Sequence, residues 1–167
     1  MTAATGQTEL WASLMRGQAL LADAVSDRLE AEAGIPLAWY EVLAVLADAP
    51  DGALRMQDLG QSMWLSKSGL TRLCDRIEEA GYISRQSCPT DRRGTFAVIT
   101  DDGRAKVSDA RPIFARASED LFLQHLSGRE RDALRSAMNK IIGANGAHLR
   151  AQDRMDERPR AVRKHTN

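Results

Sequence analysis

The stretch from Leu65 to Thr100, LSKSGLTRLCDRIEEAGYISRQSCPTDRRGTFAVIT, determines most of the architecture that we predict for this chain. Its first half predicts a helix, because Ser66 is a favourable N-cap and apolar residues then recur at three- and four-residue steps. The helix is expected to end at Ala80, since Gly81 is a common C-terminal stop. The side of this helix away from the apolar residues is polar and is expected to face outward.

The second half of the stretch predicts a β-hairpin. The segments Tyr82–Gln86 and Thr95–Thr100 are expected to form strands, and Ser87–Gly94 between them contains Pro, Asp and two arginines. The tip of the hairpin is therefore basic. A polar-faced helix followed by a hairpin of this kind predicts a winged helix-turn-helix.

Long amphipathic helices are predicted on both sides of this unit. The apolar periodicity gives Glu9–Glu32, Leu37–Ala47, Met56–Met63, a helix capped by Thr100 that runs to His125, and a last helix that opens with the capping box of Ser127 and Glu130. After Gly146 the chain becomes polar and rich in arginine, so a flexible tail is expected there. The predicted fold class is mainly α with a small β-hairpin wing.

Composition restricts the class of protein. The chain has 167 residues, of which 43% are apolar and 28% charged, as is ordinary for a folded protein. No apolar run approaches the roughly 20 residues that a membrane-spanning helix needs, and the N-terminus lacks the pattern of a secretory signal. Cys74 and Cys88 match neither a disulfide framework nor a zinc motif. We therefore expect a cytoplasmic protein with no membrane partner, no metal and no other cofactor.

The formal net charge is zero, but the charges are unevenly distributed. Acidic residues dominate residues 1–53, whereas basic residues are in excess in 54–111 and from Arg150 to the end. Because phosphate contacts depend on a local basic face, overall neutrality is weak evidence against a nucleic-acid partner.

The polar side of the helix after Ser66 and the hairpin tip carry residue types that suit duplex DNA. Short hydroxyl side chains allow close approach, arginine offers a bidentate fork to guanine or phosphate, and a narrow minor groove attracts guanidinium groups. The candidate contacts are Ser66, Lys67, Ser68, Thr71 and Arg72 on the helix and Arg92 and Arg93 at the tip. Arg76 either contacts a phosphate or pairs with Asp91. The alternative interpretation is a solvated helix face and an exposed basic turn.

These segments resemble the motifs of MarR-type transcriptional regulators. The residues of 65–73, 75–78 and 80–83 are similar to the recognition helix of that family. Asp91-Arg92-Arg93 followed by Val98-Ile99-Thr100 resembles its wing signature, and Asp102-Gly103-Arg104 resembles the start of its next helix. The resemblance covers the architecture of residues 8–148, with the specific motifs confined to 65–104.

The resemblance implies a homodimer that binds a pseudo-palindromic, double-stranded DNA operator. The implied domains are an N-terminal dimerisation helix in 1–34, the DNA-binding winged helix-turn-helix in 35–104, C-terminal dimerisation helices in 105–149 and a basic flexible tail in 150–167. Arg93 would insert into the minor groove, and Asp91 would orient the wing loop through an ion pair. The implied function is a sequence-specific transcriptional regulator, most often a repressor in this family.

The resemblance also implies regulation by a small phenolic or other aromatic effector. Aromatic and methionine side chains around one polar anchor suit a planar organic anion. The candidate pocket residues are Arg16, Trp39, Tyr40, Met63 and Trp64. Thiol oxidation, at Cys88 in the wing loop or at Cys74, and metal binding are the alternatives that some branches of the family suggest.

Two other classes of function are considered. A winged helix can serve as a protein–protein interaction module, which would bind every duplex weakly and without regard to sequence. An enzyme would need a nucleophile–base pair, a metal cluster or a phosphate-binding glycine loop, and we find none of these motifs in the sequence. We therefore expect no enzymatic activity.

Overall fold

The computed structural model describes residues 3–63, 65–88 and 91–156, with their side chains except those at 3–5, 88, 91–93 and 147–156. The helices are α1 Ala3–Ala33, α2 Leu37–Ala47, α3 Met56–Met63, α4 Lys67–Glu79, α5 Asp101–Leu121 and α6 Gly128–Asp156. The strands are β1 Ala53–Arg55, β2 Ile83–Cys88 and β3 Asp91–Ile99. The chain divides into two compact units between Ser127 and Gly128, and α6 is the described part of the second.

The predicted fold class is confirmed, since a small antiparallel sheet follows α4 within a mainly helical chain. The sheet has the order β1-β3-β2, with Ala53 opposite Val98 and Ile83 opposite Ile99. Strand β1 is absent from the sequence prediction, because three residues are too few to show the period of two on which a strand prediction rests.

The loop predicted at Ser87–Gly94 is wrong in its extent. Strand β2 reaches Cys88 and β3 already begins at Asp91, with a register shift between Ser87 and Cys88. Ladder hydrogen bonds continue past the last apolar residues of the strands, where no side-chain pattern marks them. The wing is therefore a longer ribbon than the sequence predicts.

The core of the first unit lies where α2, α4 and α5 pack against the sheet. Buried apolar side chains come from every one of these elements. They include Val42, Leu43 and Leu46 of α2, Leu70, Cys74 and Ile77 of α4, Val107, Ala110 and Ala117 of α5, and Ile83, Ala97 and Ile99 of the sheet. Because α4 buries one side completely, its orientation in the unit is fixed by packing.

Helix α1 packs along α5 through its C-terminal half. Val25 and Leu29 are buried there. Exposed ion pairs flank this contact, joining Arg28 to Asp120 at 2.7 Å and Arg116 to Glu32 at 2.9 Å. Exposed pairs of this kind contribute little to stability, so the apolar side chains carry the contact.

The start of α5 is tied to the start of the wing. Thr100 caps the helix by accepting a hydrogen bond from the Gly103 backbone N–H at 3.0 Å, and its hydroxyl donates to the Gly81 carbonyl at 2.8 Å. A Cβ at Gly103 would collide with the Tyr82 carbonyl and with Ile99. Gly81 itself has a φ of 82°, which is the αL conformation of a C-terminal stop.

Three helix boundaries differ from the sequence prediction. Helix α1 begins at Ala3 rather than Glu9, and α5 ends at Leu121, followed by a 3-10 turn at Leu123–His125. Helix α6 continues to Asp156 instead of ending near Gly146, because Ala, Leu, Arg and Gln favour helix even where no apolar stripe persists. Of the predicted flexible tail at 150–167, residues 157–167 lie outside the described part of the chain.

Candidate nucleic-acid interface

The N-terminal end of α4 presents a polar, exposed surface. Ser66 caps the helix by accepting a hydrogen bond from the Gly69 backbone N–H at 3.2 Å. The hydroxyls of Ser66 and Ser68 lie 3.4 Å apart. These two short side chains leave the backbone of the first turn close to the surface.

The next turn of α4 carries Thr71 and Arg72 on the same exposed surface. Thr71 is exposed, and its Oγ1 donates to the Lys67 carbonyl at 2.8 Å, which leaves the hydroxyl oxygen as an acceptor. Arg72 Nε donates weakly to the Ser68 carbonyl at 3.4 Å, so its guanidinium is held along the helix. Together with Ser66 and Ser68, these side chains offer donors, acceptors and a methyl group, which are the groups that read base edges in a major groove.

Strand β2 is fastened to α4 by Arg85, a residue that the sequence analysis does not single out. Its guanidinium contacts Asp75 at 2.5 Å and Glu78 at 3.4 Å. It also donates to the Thr71 carbonyl at 3.1 Å. The sequence contains one signal for this contact. Arg85 follows the buried Ile83 by two residues, and side chains two apart on a strand lie on the same face, so both point from β2 towards α4.

Arg76, one turn after Arg72 on α4, reaches towards Trp39 of α2. Its guanidinium stands 5.9 Å from the centre of the Trp39 ring, and Trp39 meets Tyr82 edge to face at 6.2 Å. The sequence predicts either a phosphate contact or an ion pair with Asp91. The Asp91 side chain lies outside the described ones, so this ion pair stays a prediction. The structure adds a third role, a cation–π contact between α4 and α2, worth about 0.5–1 kcal/mol at an exposed site.

The predicted wing contacts lie on β3. The backbone of Asp91, Arg92 and Arg93 forms the first residues of the strand. Their side chains are outside the described ones, so their contacts with DNA stay predictions.

The five predicted effector residues occupy different surroundings. Tyr40 is buried and stacks on Phe114 at 4.7 Å, whereas the Trp39 ring meets Tyr82. Arg16 is exposed on α1, Met63 is half-buried at the end of α3, and Trp64 lies outside the described residues.

Two observations bear on a ligand in this unit. Among the described residues, the Trp39 Nε1 atom is buried without a hydrogen-bond partner. An open groove of about 550 Å³ lies between the end of α2 and α5, beside the ion pair of Arg111 with Asp48, and none of the five predicted residues lines it. The predicted pocket therefore stays a prediction.

Cys74 is a buried, free thiol on the core side of α4. Burial raises the pKa of this thiol, and the nearby Arg85 guanidinium opposes that shift only in part. A protonated, enclosed thiol reacts slowly with oxidants. The structure thus supports the packing role of Cys74 over a sensing role, while the side chain of Cys88 lies outside the described ones.

Apolar side chains remain exposed on α1 and on α6. Leu10, Trp11 and Leu20 of α1 are 74%, 65% and 70% exposed. On α6, Ile141 and Ile142 are each about half exposed. Exposed apolar groups in this number on one helix mark an interaction surface.

In the described ranges, no helix has the length and apolar composition to cross a membrane. The same ranges contain no group of three or more His, Cys, Asp or Glu side chains arranged to hold a metal ion.

Comparison with known proteins connects this surface to a family. A model of the MarR family matches residues 33–94, which contain α2, α3, α4 and the start of the wing. The HTH-type transcriptional regulator MhqR of Bacillus subtilis is 33% identical over 106 residues, which are 64% of this chain and 70% of that protein.

Solved structures agree with this result. Sco3205, a MarR family transcriptional regulator from Streptomyces coelicolor crystallised in complex with DNA, superposes with a TM-score of 0.79 at 30% identity, covering 87% of this chain and 89% of that one. CouR from Rhodococcus jostii RHA1, crystallised with p-coumaroyl-CoA, has a TM-score of 0.66 at 26% identity, covering 77% and 87%. The chain therefore belongs to the MarR family of winged-helix, DNA-binding transcriptional regulators.

Proposed function

We propose that this chain is a homodimeric repressor that binds a pseudo-palindromic operator through α4 and the wing, and that a small aromatic effector releases it. The observation that carries the proposal is the exposed polar end of α4, capped by Ser66 and held rigidly against the core by Leu70 and Ile77. The relative Sco3205, which shares this fold, was crystallised with DNA.

In this proposal the N-terminal half of α4 enters the major groove. The side chains that contact bases or phosphates are Ser66, Lys67, Ser68, Thr71 and Arg72, with Arg76 at the edge of the surface. The Thr71 methyl group suits the methyl group of thymine, and the Arg72 fork suits guanine or a phosphate. A helix-turn-helix reads DNA with the same part of its second helix.

The wing supplies the second contact. Arg92 and Arg93 follow Asp91 at the end of a two-stranded ribbon, a position from which guanidinium groups reach an adjacent minor groove. We propose Arg93 as the inserting residue and Asp91 as the residue that orients the loop.

Dimerisation is proposed through the terminal helices. The exposed apolar side chains of α1, above all Leu10 and Trp11, and those of α6 at Ile141 and Ile142 lose contact with water when two copies associate. A two-fold symmetric dimer uses the same surface of each copy, and it matches an operator whose half-sites are about one helical turn apart.

Release by an effector completes the proposal. CouR, which is similar to this chain, was crystallised with p-coumaroyl-CoA. We propose that a planar aromatic acid or ester binds near Trp39 and Tyr40, with Arg16, Met63 and Trp64 as further candidates. Such a ligand shifts the protein away from DNA only by its differential affinity for the two states.

Selection of bound sequences from random duplexes, at a fixed and stated salt concentration, tests the proposal. We expect enrichment of one inverted repeat, bound at least about a thousandfold more tightly than scrambled duplex of equal length. Equal, weak binding to all duplexes would reject sequence-specific regulation and favour the protein-interaction module.

A further inference from the structure

We infer that Arg85 is a positioning residue for DNA binding: it fixes α4 against β2 and neutralises two carboxylates on the side of α4 that faces DNA. The inference rests on the proposed function. Arg85 belongs to the first wing strand and lies outside the set of residues expected to contact DNA.

The contacts of Arg85 join strand and helix at four points. Nη1 meets Asp75 Oδ1 at 2.5 Å and Glu78 Oε2 at 3.4 Å. Nη2 donates to the Thr71 carbonyl at 3.1 Å, and the backbone N–H donates to Glu78 Oε1 at 2.7 Å. A planar guanidinium can hold a backbone carbonyl and two carboxylates at once, which a lysine ammonium cannot do with the same geometry.

The three partners on α4 lie along one face of the helix. Thr71, Asp75 and Glu78 are separated by four and three residues, the spacing of neighbours on a helix surface. Lys67, four residues before Thr71, begins the same row. The two carboxylates therefore continue the row of side chains that we place against DNA.

Uncompensated carboxylates in this row would repel the phosphates. The Asp75 side chain is 51% exposed, so its charge reaches the solvent where DNA would lie. The Arg85 side chain is only 25% exposed. Salt therefore screens the charge of Arg85 less than it screens the charge of an exposed arginine. From its half-buried position, the Arg85 guanidinium compensates the negative charges of Asp75 and Glu78.

The same contacts fix the angle between recognition helix and wing. Core packing holds α4 through Leu70, Cys74 and Ile77, and Cys74 lies next to the row that Arg85 contacts. The Arg85 contacts add a polar attachment on the DNA-facing side, at the level of Thr71. Loss of that attachment lets the wing ribbon move relative to the base-reading residues.

The experiment compares four proteins on the selected inverted repeat and on scrambled duplex: wild type, Arg85→Gln, Arg85→Lys, and Arg85→Gln combined with Asp75→Asn and Glu78→Gln. Arg135→Gln is the matched control, because Arg135 forms an exposed ion pair with Asp132 on α6. Unfolding by urea and far-UV circular dichroism establish that each protein is folded at the temperature of the binding assay.

We expect Arg85→Gln to weaken binding to the repeat by about tenfold to a hundredfold, the range for losing hydrogen bonds to charged groups. Arg85→Lys should lie between Arg85→Gln and wild type, and Arg135→Gln should match wild type. The triple variant should bind more tightly than Arg85→Gln, because the unpaired carboxylates are gone, yet discriminate less than wild type between repeat and scrambled duplex.

Unchanged binding by folded Arg85→Gln would overturn the inference. The inference would also be overturned if the triple variant bound the repeat no more tightly than Arg85→Gln, because that result assigns Arg85 to a direct phosphate contact. If Arg85→Gln does not fold, the double variant Asp75→Asn with Glu78→Gln decides: a discrimination ratio equal to wild type overturns the inference, and a lower ratio supports it. Absence of any preferred duplex for wild type would instead reject the proposed function.

Discussion

Ser66 has two roles in this account that substitution can separate. Its hydroxyl caps α4 through the Gly69 N–H, and its exposed position places it among the proposed DNA contacts. A cap needs only an acceptor, whereas a surface against phosphates excludes a negative charge. A single position therefore reports on both folding and binding.

We predict that Ser66→Ala lowers the free energy of unfolding by about 1 kcal/mol, the usual cost of losing an N-cap. Ser66→Asp should keep the stability of wild type, because a carboxylate accepts from the same N–H and favours the helix N-terminus. Its charge should nevertheless weaken operator binding more than Ser66→Ala does. Urea unfolding and a mobility-shift titration measure the two effects, and wild-type affinity of Ser66→Asp would remove Ser66 from the interface.

Cys74 gives a prediction about pH. Burial raises the pKa of its thiol in the folded state above the ordinary value of about 8.5. Above that pH the unfolded chain binds fewer protons than the folded protein does. The free energy of unfolding therefore has its full value below that pH and falls as the pH rises.

Wild type should accordingly lose stability between about pH 8 and pH 10 relative to Cys74→Ala, by at most about 1.4 kcal/mol per pH unit. Urea unfolding of the two proteins over this range measures the difference. Parallel pH dependences would mean that the thiol titrates in the folded protein as it does in the unfolded chain.

At the scale of elements, local signals predict best. The bounds of α2 and α3, and the caps of α4 at Ser66 and Ala80, agree with the sequence analysis, because caps and stops are coded by neighbouring residues. Strand β1 and the full length of the wing depend on pairing with β3, which no short segment records.

The same distinction applies to the candidate site. The polar face of α4 could be read from spacing alone. The contact of Arg85 with Asp75 and Glu78, and that of Arg76 with Trp39, join residues that are distant in sequence and meet only once α4, β2 and α2 are packed. A basic residue in phase with Ile83 on β2 was the available signal for the first contact.

The junction between wing and α5 provides a prediction at this scale. Gly103→Ala should lower the free energy of unfolding by more than about 2 kcal/mol, because its Cβ would collide with the Tyr82 backbone. The matched control is Gly143→Ala on α6, where nothing beyond the adjoining backbone of the helix lies within 4 Å of the added carbon. That control should be neutral or stabilising by up to about 1 kcal/mol. Equal effects of the two substitutions in thermal or urea unfolding would contradict the close approach.

At the scale of the whole molecule, the exposed apolar residues of α1 are the feature that a single chain leaves unexplained. Trp11 is 65% exposed and stands next to Leu10, which is 74% exposed. Large aromatic side chains are typical centres of protein interfaces. Association of two copies would also place two α4 helices on one DNA molecule.

Trp11→Glu should therefore raise the dissociation constant of the proposed dimer at least about tenfold, by removing an aromatic anchor and introducing charge. Ser108→Glu adds the same charge at an exposed position of α5 and serves as the control. Sedimentation velocity over a range of protein concentrations measures both. If neither variant weakens association of the two copies, the interface lies elsewhere.

The most direct test of the central claim is the mass of the protein–DNA complex. Sedimentation equilibrium of the full chain with the selected inverted repeat measures how many copies bind one duplex. We expect two copies per duplex, and loss of that complex when one half-site is scrambled or the half-site spacing is changed by about half a helical turn. One copy per duplex, or binding that ignores the spacing, would contradict the account.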